Sequence, residues 1–514
     1  MGGAKRLFRN TILLTATSFL MRTVSVSFNV YLTNKIGADG IGLFQLIIAV
    51  YGMAVTFGSA GIKLAAMRLV ADNLALNKYS ERKIMRFCIL YSLLCGVAVA
   101  CIMSGFAPLI GEKWICDPRS VPCLRVLSIS LPFVAVSAAL CGYFTSVSKL
   151  VRYTGVQLFE QLFKIGVTVL SLRSVISHGI EASCIAIAFG MTSAEIFSAS
   201  CSFVLFRFSS GKSPVDGSSG EIVKKMLRIA LPDAIGAEMR SILITVEHLL
   251  IPVGFRKSGS NPQTAMATYG VIHGMALPLV LYPSALLSSL SGLLIPEISA
   301  QHIAKNNTRI GYMIARVLHI ALIFSIGTAG IMYFTADVLS QAVYSNTDVG
   351  FYMQVLSPLI PVMYMDMTID GMLKGLDQQV SYMRYNIIDS GICVIFVWLL
   401  VPLLSVKGYI IVVFMSELIN FALSFRRLTI VSEVRVELFR DIVIPILCII
   451  SAGSLKNVIL TLFPINFGAR GNAFFAIAVC AMAYLALLRL FTAINSEELN
   501  WARRITTGKI KSHG

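Results

Sequence analysis

LPDAIGAEMRSILITVEHLLIPV, residues 231–253, decides the class of this protein. It is long and apolar enough to cross a bilayer, which takes about 20 mostly apolar residues in a helix. Yet it carries Asp233, Glu238, Arg240, Glu247 and His248. Charges at membrane depth are costly and persist mainly where they face a bundle interior or a water-filled cavity. At roughly 100° per residue, Asp233, Arg240 and Glu247 fall within about 40° of one another on the helix wheel. One face of this span is therefore polar along its length, and the bundle around it has to enclose something that face can look at.

The rest of the chain agrees. Of 514 residues, 56% are hydrophobic and 13% charged, where a soluble domain carries about 25% charged residues; the mean hydropathy is +0.78. The sequence predicts an all-α polytopic membrane protein. Apolar runs bounded by charge clusters, Gly, Pro or Asn place spans near 10–33, 41–66, 87–110, 124–147, 154–176, 180–206, 229–253, 267–297, 312–335, 350–373, 382–404, 408–425, 441–463 and 471–491, about 14 transmembrane helices.

The net charge of +17 does not point to nucleic acid, because the Lys and Arg sit in short loops between apolar runs. Alternate loops hold most of them: Lys5, Arg6 and Arg9; Lys78, Arg82, Lys83 and Arg86; Lys212, Lys224, Lys225 and Arg228; Arg426, Arg427, Arg435 and Arg440; and the tail with Arg503, Arg504, Lys509 and Lys511. Roughly 29 basic residues fall on one side against about 9 on the other, so both termini are expected in the cytoplasm of a multi-pass cell-membrane protein. The basic start at Met1–Asn10 leads into a long apolar run without a small-residue cleavage site, so it does not read as a cleaved signal.

SSGKSPVDGSSGE, residues 209–221, is a Gly/Ser/Pro-rich linker that cannot bury a core. It separates an N-terminal lobe at 1–208 from a C-terminal lobe at 222–428; residues 429–514 add two further helices and a basic tail. The two sides resemble each other. The stretch from Leu131 aligns without gaps on that from Ile360, matching Pro132 to Pro361, Gly142 to Gly371, Tyr153 to Tyr382 and Glu160 to Asp389. A different offset pairs Glu195 with Glu417, and Arg22 with Arg240. Internal repeats are an architecture of secondary transporters, with substrate bound at the repeat interface near the midplane.

The first span strengthens the cavity reading. Thr11, Thr15, Ser18, Arg22, Ser25 and Asn29 alternate at spacings of four and three, forming a polar stripe about 80° wide. One reading makes this a tight helix–helix contact with Arg22 in a structural ion pair; the other makes it a cavity wall, with Arg22 and Arg240 at similar depth on the first helix of each lobe. Two such guanidiniums suit a phosphate or diphosphate, which the planar fork binds through paired N–H groups.

Other intramembrane charges leave alternatives open. Glu160 and Lys164 are spaced to neutralise each other. Asp366, Asp370 and Lys374 share a face on which Lys374 can reach water. Asp389, Glu195 and Glu417 lack an obvious helical partner; they bind an ion or proton, or satisfy Arg residues across the bundle. Together with Asp233 and Glu247, Asp389 and Glu417 are the candidates for cation coupling. Tyr269 and His273 share a face, where His273 is either a packing histidine or a titrating one. Lys63 and Arg68 read as interfacial anchors, and Pro278 with Pro283 predicts a kink. Cys116 and Cys123 flank a short loop, as a disulfide or as two thiols. The 11 Cys show no metal-ligand spacing, and no phosphate-cradling GxxxxGK[ST] loop, HExxH or nucleophile-elbow motif occurs, so neither enzyme chemistry nor a cofactor is expected.

IGADGIGLFQ, residues 36–45, followed by an apolar run and GSAG at 58–61, resembles the polysaccharide-transporter branch of the multidrug, oligosaccharidyl-lipid and polysaccharide exporter (MOP) superfamily; Phe44 stands where Tyr is usual. LLIPEIS, residues 293–299, is similar to the family's end to its eighth helix. The resemblance implies a MATE-like fold of two pseudo-symmetric six-helix lobes with two extra helices. It also implies alternating access for a polyprenyl-linked saccharide, such as a cell-wall or spore-cortex precursor. In related lipid II flippases cavity arginines on the first helices are needed, and Arg22 and Arg240 occupy comparable places. This chain departs from them by adding the carboxylates Asp233 and Glu247.

Three readings follow. In the first, a flippase moves a lipid-linked saccharide among the membrane lipids, with Arg22 and Arg240 on the diphosphate and Ser18, Ser25 and Asn29 lining the cavity. In the second, a Na⁺- or H⁺-coupled antiporter exports drugs or metabolites. In the third, the protein is a membrane scaffold for cell-wall enzymes.

Overall fold

The computed structural model describes residues 2–76, 79–147, 149–209, 219–432, 439–462 and 468–491; most of the linker and the basic tail lie outside them. No strand occurs among the described residues. The helices are α1 (Gly2–Ser59), α2 (Ile62–Leu76), α3 (Glu81–Leu109), α4 (Ser120–Ser128), α5 (Leu131–Ser146), α6 (Leu150–Val175), α7 (Ile180–Ser209), α8 (Ser219–Lys257), α9 (Pro262–Tyr269), α10 (Leu277–Leu281), α11 (Ser284–Ile303), α12 (Asn307–Tyr344), α13 (Thr347–Leu356), α14 (Ile360–Gly375), α15 (Gln379–Ser432), α16 (Ile444–Leu462) and α17 (Gly468–Leu490).

Two of these helices are too long to be single spans. The 58 residues of α1 would extend about 87 Å if straight, nearly three times a hydrocarbon core of about 30 Å. The chain bends instead at Gly37, where φ is 75°; only a residue without Cβ takes that conformation at no steric cost. In α15 the equivalent break is at Ser405, with φ 54°. By length and composition, 8 described helices can cross a membrane, or 9 if α4 and α5, bent by 45°, form one broken span. Large apolar side chains point outward along them, among them Leu403 and Phe474, each 76% exposed, as a lipid-facing surface requires. Serine and threonine hydroxyls inside the helices donate to the carbonyl one turn back, as Ser92 does to Cys88 and Ser357 to Met353, so the polar groups do not need water.

The repeat seen in the sequence is also visible in the elements. α5 and α14 are both 16 residues long with Pro in their first turn. Their starts, Leu131 and Ile360, differ by 229 residues, and so do Leu150 and Gln379, where the following helices begin. α5 packs on α2 and α14 packs on α11, as corresponding elements of two copies would.

Contacts divide the chain into two compact units that do not follow the sequence halves. The first comprises residues 1–30, 271–389 and 410–514, the second residues 31–270 and 390–409. The opening arm of α1 thus packs with elements from late in the chain, and α8 with elements from early in it. In the first unit, α16 and α17 pack on α12 through Ile326, Cys448, Ile449, Ala452 and Tyr484. The Tyr484 hydroxyl donates to the Ile323 carbonyl at 2.8 Å. The second unit is cored by Ile62, Val70, Met85, Tyr143, Phe144 and Phe206, with the Tyr143 and Phe206 rings edge-on at 4.9 Å.

Candidate functional site

The predicted kink is a compound break. After a widened helical turn at Gly270–Ala276 come the short α10 and then α11. Pro278 and Pro283 have no N–H, so each deprives a carbonyl one turn earlier, Gly274 and Leu279, of its helical donor. Side chains and tighter turns take up the freed groups. Asn29 Nδ2 donates to the Gly274 oxygen at 2.8 Å. Tyr282 N–H turns to the Leu279 oxygen and Ala285 N–H to the Tyr282 oxygen, both at 3.2 Å. The Leu281 oxygen receives the Ser284 hydroxyl at 2.7 Å and Arg22 Nη2 at 3.0 Å, while Nη2 also lies 3.3 Å from Ser284 Oγ. Next to it, the Val280 oxygen receives the Tyr364 hydroxyl at 2.5 Å. Thr23 donates to the Phe19 oxygen, so the Tyr282 hydroxyl, 3.0 Å from Thr23 Oγ1, is the donor in that pair.

Of the polar stripe, then, Arg22 and Asn29 are joined to the backbone of the broken helix, and both are half-buried. Ser25 is exposed. The Thr11, Thr15 and Ser18 side chains lie outside the described residues.

Carboxylates gather elsewhere in the first unit. Asp389 accepts from the Ser416 hydroxyl at 2.8 Å, and Asp366 from Asn420 Nδ2 at 2.9 Å. Ser416 and Asn420 are one helical turn apart, so they hold the two carboxylates against one face of the second arm of α15; Glu417, next to Ser416 in the chain, is half-buried. Asn420 is buried, and its Oδ1, like the Ser424 hydroxyl, has no hydrogen-bond partner. Lys374, exposed as expected, sits 4.7 Å over the Tyr382 ring. Ser416 and Asn420 were not singled out in the sequence, although the i, i+4 spacing of two small polar residues around Glu417 is a signal of a polar face.

In the second unit, α8 carries Asp233, Arg240 and Glu247, all half-buried. Arg68, itself exposed, is an electrostatic neighbour of Asp233. Arg240 Nε is buried without a hydrogen-bond partner, as is Glu238 Oε2. Glu247 lies near Tyr269, whose hydroxyl is 2.8 Å from His248 Nδ1; the partner shown for Tyr269 is thus a histidine of α8. Lys164 is an electrostatic neighbour of both Glu160 and Glu195.

Cys116 is exposed and Cys123 buried, both as free thiols; the Cys123 thiol faces the Arg119 carbonyl at 4.0 Å. Between α3 and α4, Arg119 pairs with Asp117 at 2.6 Å and Asp39 at 3.3 Å. Hydrogen bonding to Asp117 holds the guanidinium above its ordinary pKa. Among the described residues no His, Cys, Asp or Glu group is arranged to hold a metal ion.

An apolar cavity of about 540 Å³ lies in the first unit among Leu322, Ile326, Phe334, Pro361, Phe421 and Ile449. Its size is that of a small-molecule pocket, yet it lies beside the added helix α16, where the sequence shows only apolar runs.

Residues 7–255 match the family described as Polysaccharide biosynthesis protein. Over 510 residues the chain is 22% identical to Stage V sporulation protein B of Bacillus subtilis (strain 168), covering 96% of this chain and 98% of that one. It superposes on the lipid II flippase MurJ in an inward closed conformation with a TM-score of 0.72 at 14% identity, covering 93% of this chain and 98% of MurJ. The chain has the MOP-superfamily fold. A multidrug resistance MATE family transporter of that superfamily, inward-facing, matches with a TM-score of 0.63 at 11% identity over 82% of this chain and 99% of its own. The resemblance carried by IGADGIGLFQ and GSAG is thereby borne out, as is the all-α polytopic class.

Proposed function

We propose that the protein is an alternating-access flippase for a polyprenyl-diphosphate-linked saccharide, a precursor of cell wall, spore cortex or polysaccharide. The observation that carries this reading is Arg240: a guanidinium within an apolar span whose buried Nε lacks a hydrogen-bond partner. A permanently charged donor left open at membrane depth is suited to an anionic headgroup and unsuited to an organic cation. Arg22 is the second donor, with Ser18, Ser25 and Asn29 along the same arm. The matched family and the names of the relatives, a lipid II flippase among them, support a lipid-linked saccharide; none of these relatives is named as an enzyme. The apolar cavity in the first unit offers room for part of a prenyl chain. In this proposal the halves 1–208 and 222–428 act as lobes on about 14 spans, and both termini are cytoplasmic.

A second reading concerns energy rather than cargo. Asp389 with Ser416 and Asp366 with Asn420 put two carboxylates against one helix face within an apolar bundle, the chemistry of a monovalent-cation or proton site, with Glu417 a further candidate. Asp233 and Glu247 are further coupling candidates on α8.

The test is to express Arg22→Ala and Arg240→Ala in cells and measure labelled lipid-linked precursor at the outer leaflet. Each lost charged hydrogen-bond donor is expected to reduce flipping by about 10- to 100-fold. Flipping at the wild-type rate in both variants refutes the diphosphate reading.

A further inference from the structure

The contacts of Arg22 carry more than a binding role. Its Nη2 is held by the Leu281 carbonyl and the Ser284 hydroxyl, at 3.0 and 3.3 Å, and these two are themselves joined at 2.7 Å. Together they present two adjacent oxygens to one guanidinium nitrogen, much as a phosphate does. A guanidinium grips an oxyanion with two bonds either through Nε–H and Nη2–H or through its two Nη groups, and Nη2 belongs to both edges. The carbonyl and hydroxyl, on adjacent sides of one Nη2 hydrogen, therefore compete with a phosphate for the edge of the guanidinium on which they sit.

The competing oxygens also belong to the backbone break itself. The Leu281 carbonyl would bond Ala285 N–H in a continuous helix, but that N–H is turned to the Tyr282 oxygen and Leu286 N–H to the Pro283 oxygen at 3.1 Å. Pro283 keeps the break from healing. Arg22 and Ser284 are thus the groups that stabilise Leu281 in its off-helix arrangement.

We infer that Ser284 and the Leu281 carbonyl are an internal competitor for Arg22, so that capture of a diphosphate by Arg22 loosens the α10–α11 break. Arg22 is then a positioning residue for the broken helix as well as an anion ligand, and Ser284 tunes how tightly the anion is held. This rests on the diphosphate reading above. It makes the hinge responsive to the cargo: a group that draws Nη2 away leaves Leu281 with Ser284 alone.

The experiment uses the purified full chain in detergent with farnesyl diphosphate as the probe. Binding is measured by calorimetry, and hydrogen exchange is followed at the amides of Ala285 and Leu286. In the wild type, farnesyl diphosphate should accelerate exchange at those amides by about three-fold or more, because losing one hydrogen bond from the break shifts its opening by about that factor. Ser284→Ala removes one competing acceptor and should bind the probe about three-fold more tightly. Arg22→Gln keeps an amide N–H for the carbonyl but not the charge; it should bind about ten-fold more weakly or worse and show no acceleration. Binding that depends on Arg22 while exchange at Ala285 and Leu286 stays unchanged or slows overturns the inference and leaves the diphosphate reading standing. Binding indifferent to Arg22→Gln removes the diphosphate reading, and the inference with it.

Discussion

Alanine at Gly142 is expected to destabilise the protein more than alanine at its repeat partner Gly371. A Cβ at Gly142 would stand 2.4 Å from the Lys63 carbonyl oxygen and 3.0 Å from Ala66 Cβ. The obstacle is the backbone of α2, so α2 and α5 have to separate by about 1 Å to restore contact near 3.5 Å. Overpacking of this kind costs about 1–3 kcal/mol, against a helix-propensity gain of about 1 kcal/mol for replacing Gly, and a backbone obstacle puts the net at about 1–2 kcal/mol of destabilisation. At Gly371 the Cβ would meet Ser291 Cβ at 2.8 Å, an atom fixed by its backbone but overlapped less, so α11 and α14 part by only about 0.7 Å, for a net loss of about 1 kcal/mol or less. Gly391, with nothing within 4 Å of its added Cβ, is the control and should gain up to about 1 kcal/mol. Thermal unfolding of the three variants in one detergent should rank Gly142→Ala lowest, Gly371→Ala next and Gly391→Ala highest. A Gly142→Ala protein that melts at or above the wild type refutes the close approach on which the matched packing of α5 and α14 rests.

Further expectations concern buried polar pairs. His319 Nδ1 and Asp441 Oδ1, buried at 2.6 Å, tie α12 to the turn before α16, so His319→Leu should cost about 1–3 kcal/mol. The double change His319→Leu with Asp441→Leu should cost less than the sum of the single ones, a coupling that chemical unfolding of the four proteins measures. Asn420→Leu removes the donor to Asp366, and Asp389→Asn one of the carboxylates on the same face. Both should abolish any Na⁺- or pH-gradient dependence of transport in vesicles, and full dependence in both variants refutes the coupling reading.

The repeat was legible because α5 and α14 keep both Pro132 with Pro361 and Gly142 with Gly371, residues whose backbone and packing demands tolerate little change. The α1 span was less so. Gly37 reads as a loop residue between two spans, whereas α1 runs through to Ser59 with a kink at Gly37, since a single residue with positive φ suffices to bend the chain. The polar stripe placed Arg22 and Asn29 on one helix face, but the carbonyls they bond, at Leu281 and Gly274, carry no side-chain signature. The available clue was indirect: Pro278 and Pro283 orphan carbonyls, and orphaned carbonyls inside a membrane require donors from somewhere. The Ser416 bond to Asp389 was not legible, because Ser416 reaches it from beyond the break at Ser405, a juxtaposition set by tertiary folding.

The central claim is tested most directly by reconstitution. Purified protein is placed in vesicles that contain a fluorescent polyprenyl-diphosphate-linked sugar, and arrival of the lipid at the outer leaflet is read by a membrane-impermeant quencher. The wild type should flip this lipid, the double variant Arg22→Ala with Arg240→Ala should fall to the protein-free rate, and a polyprenyl-linked sugar lacking the diphosphate should not be moved. Equal flipping by the wild type and the double variant, or of the lipid with and without its diphosphate, would contradict the account.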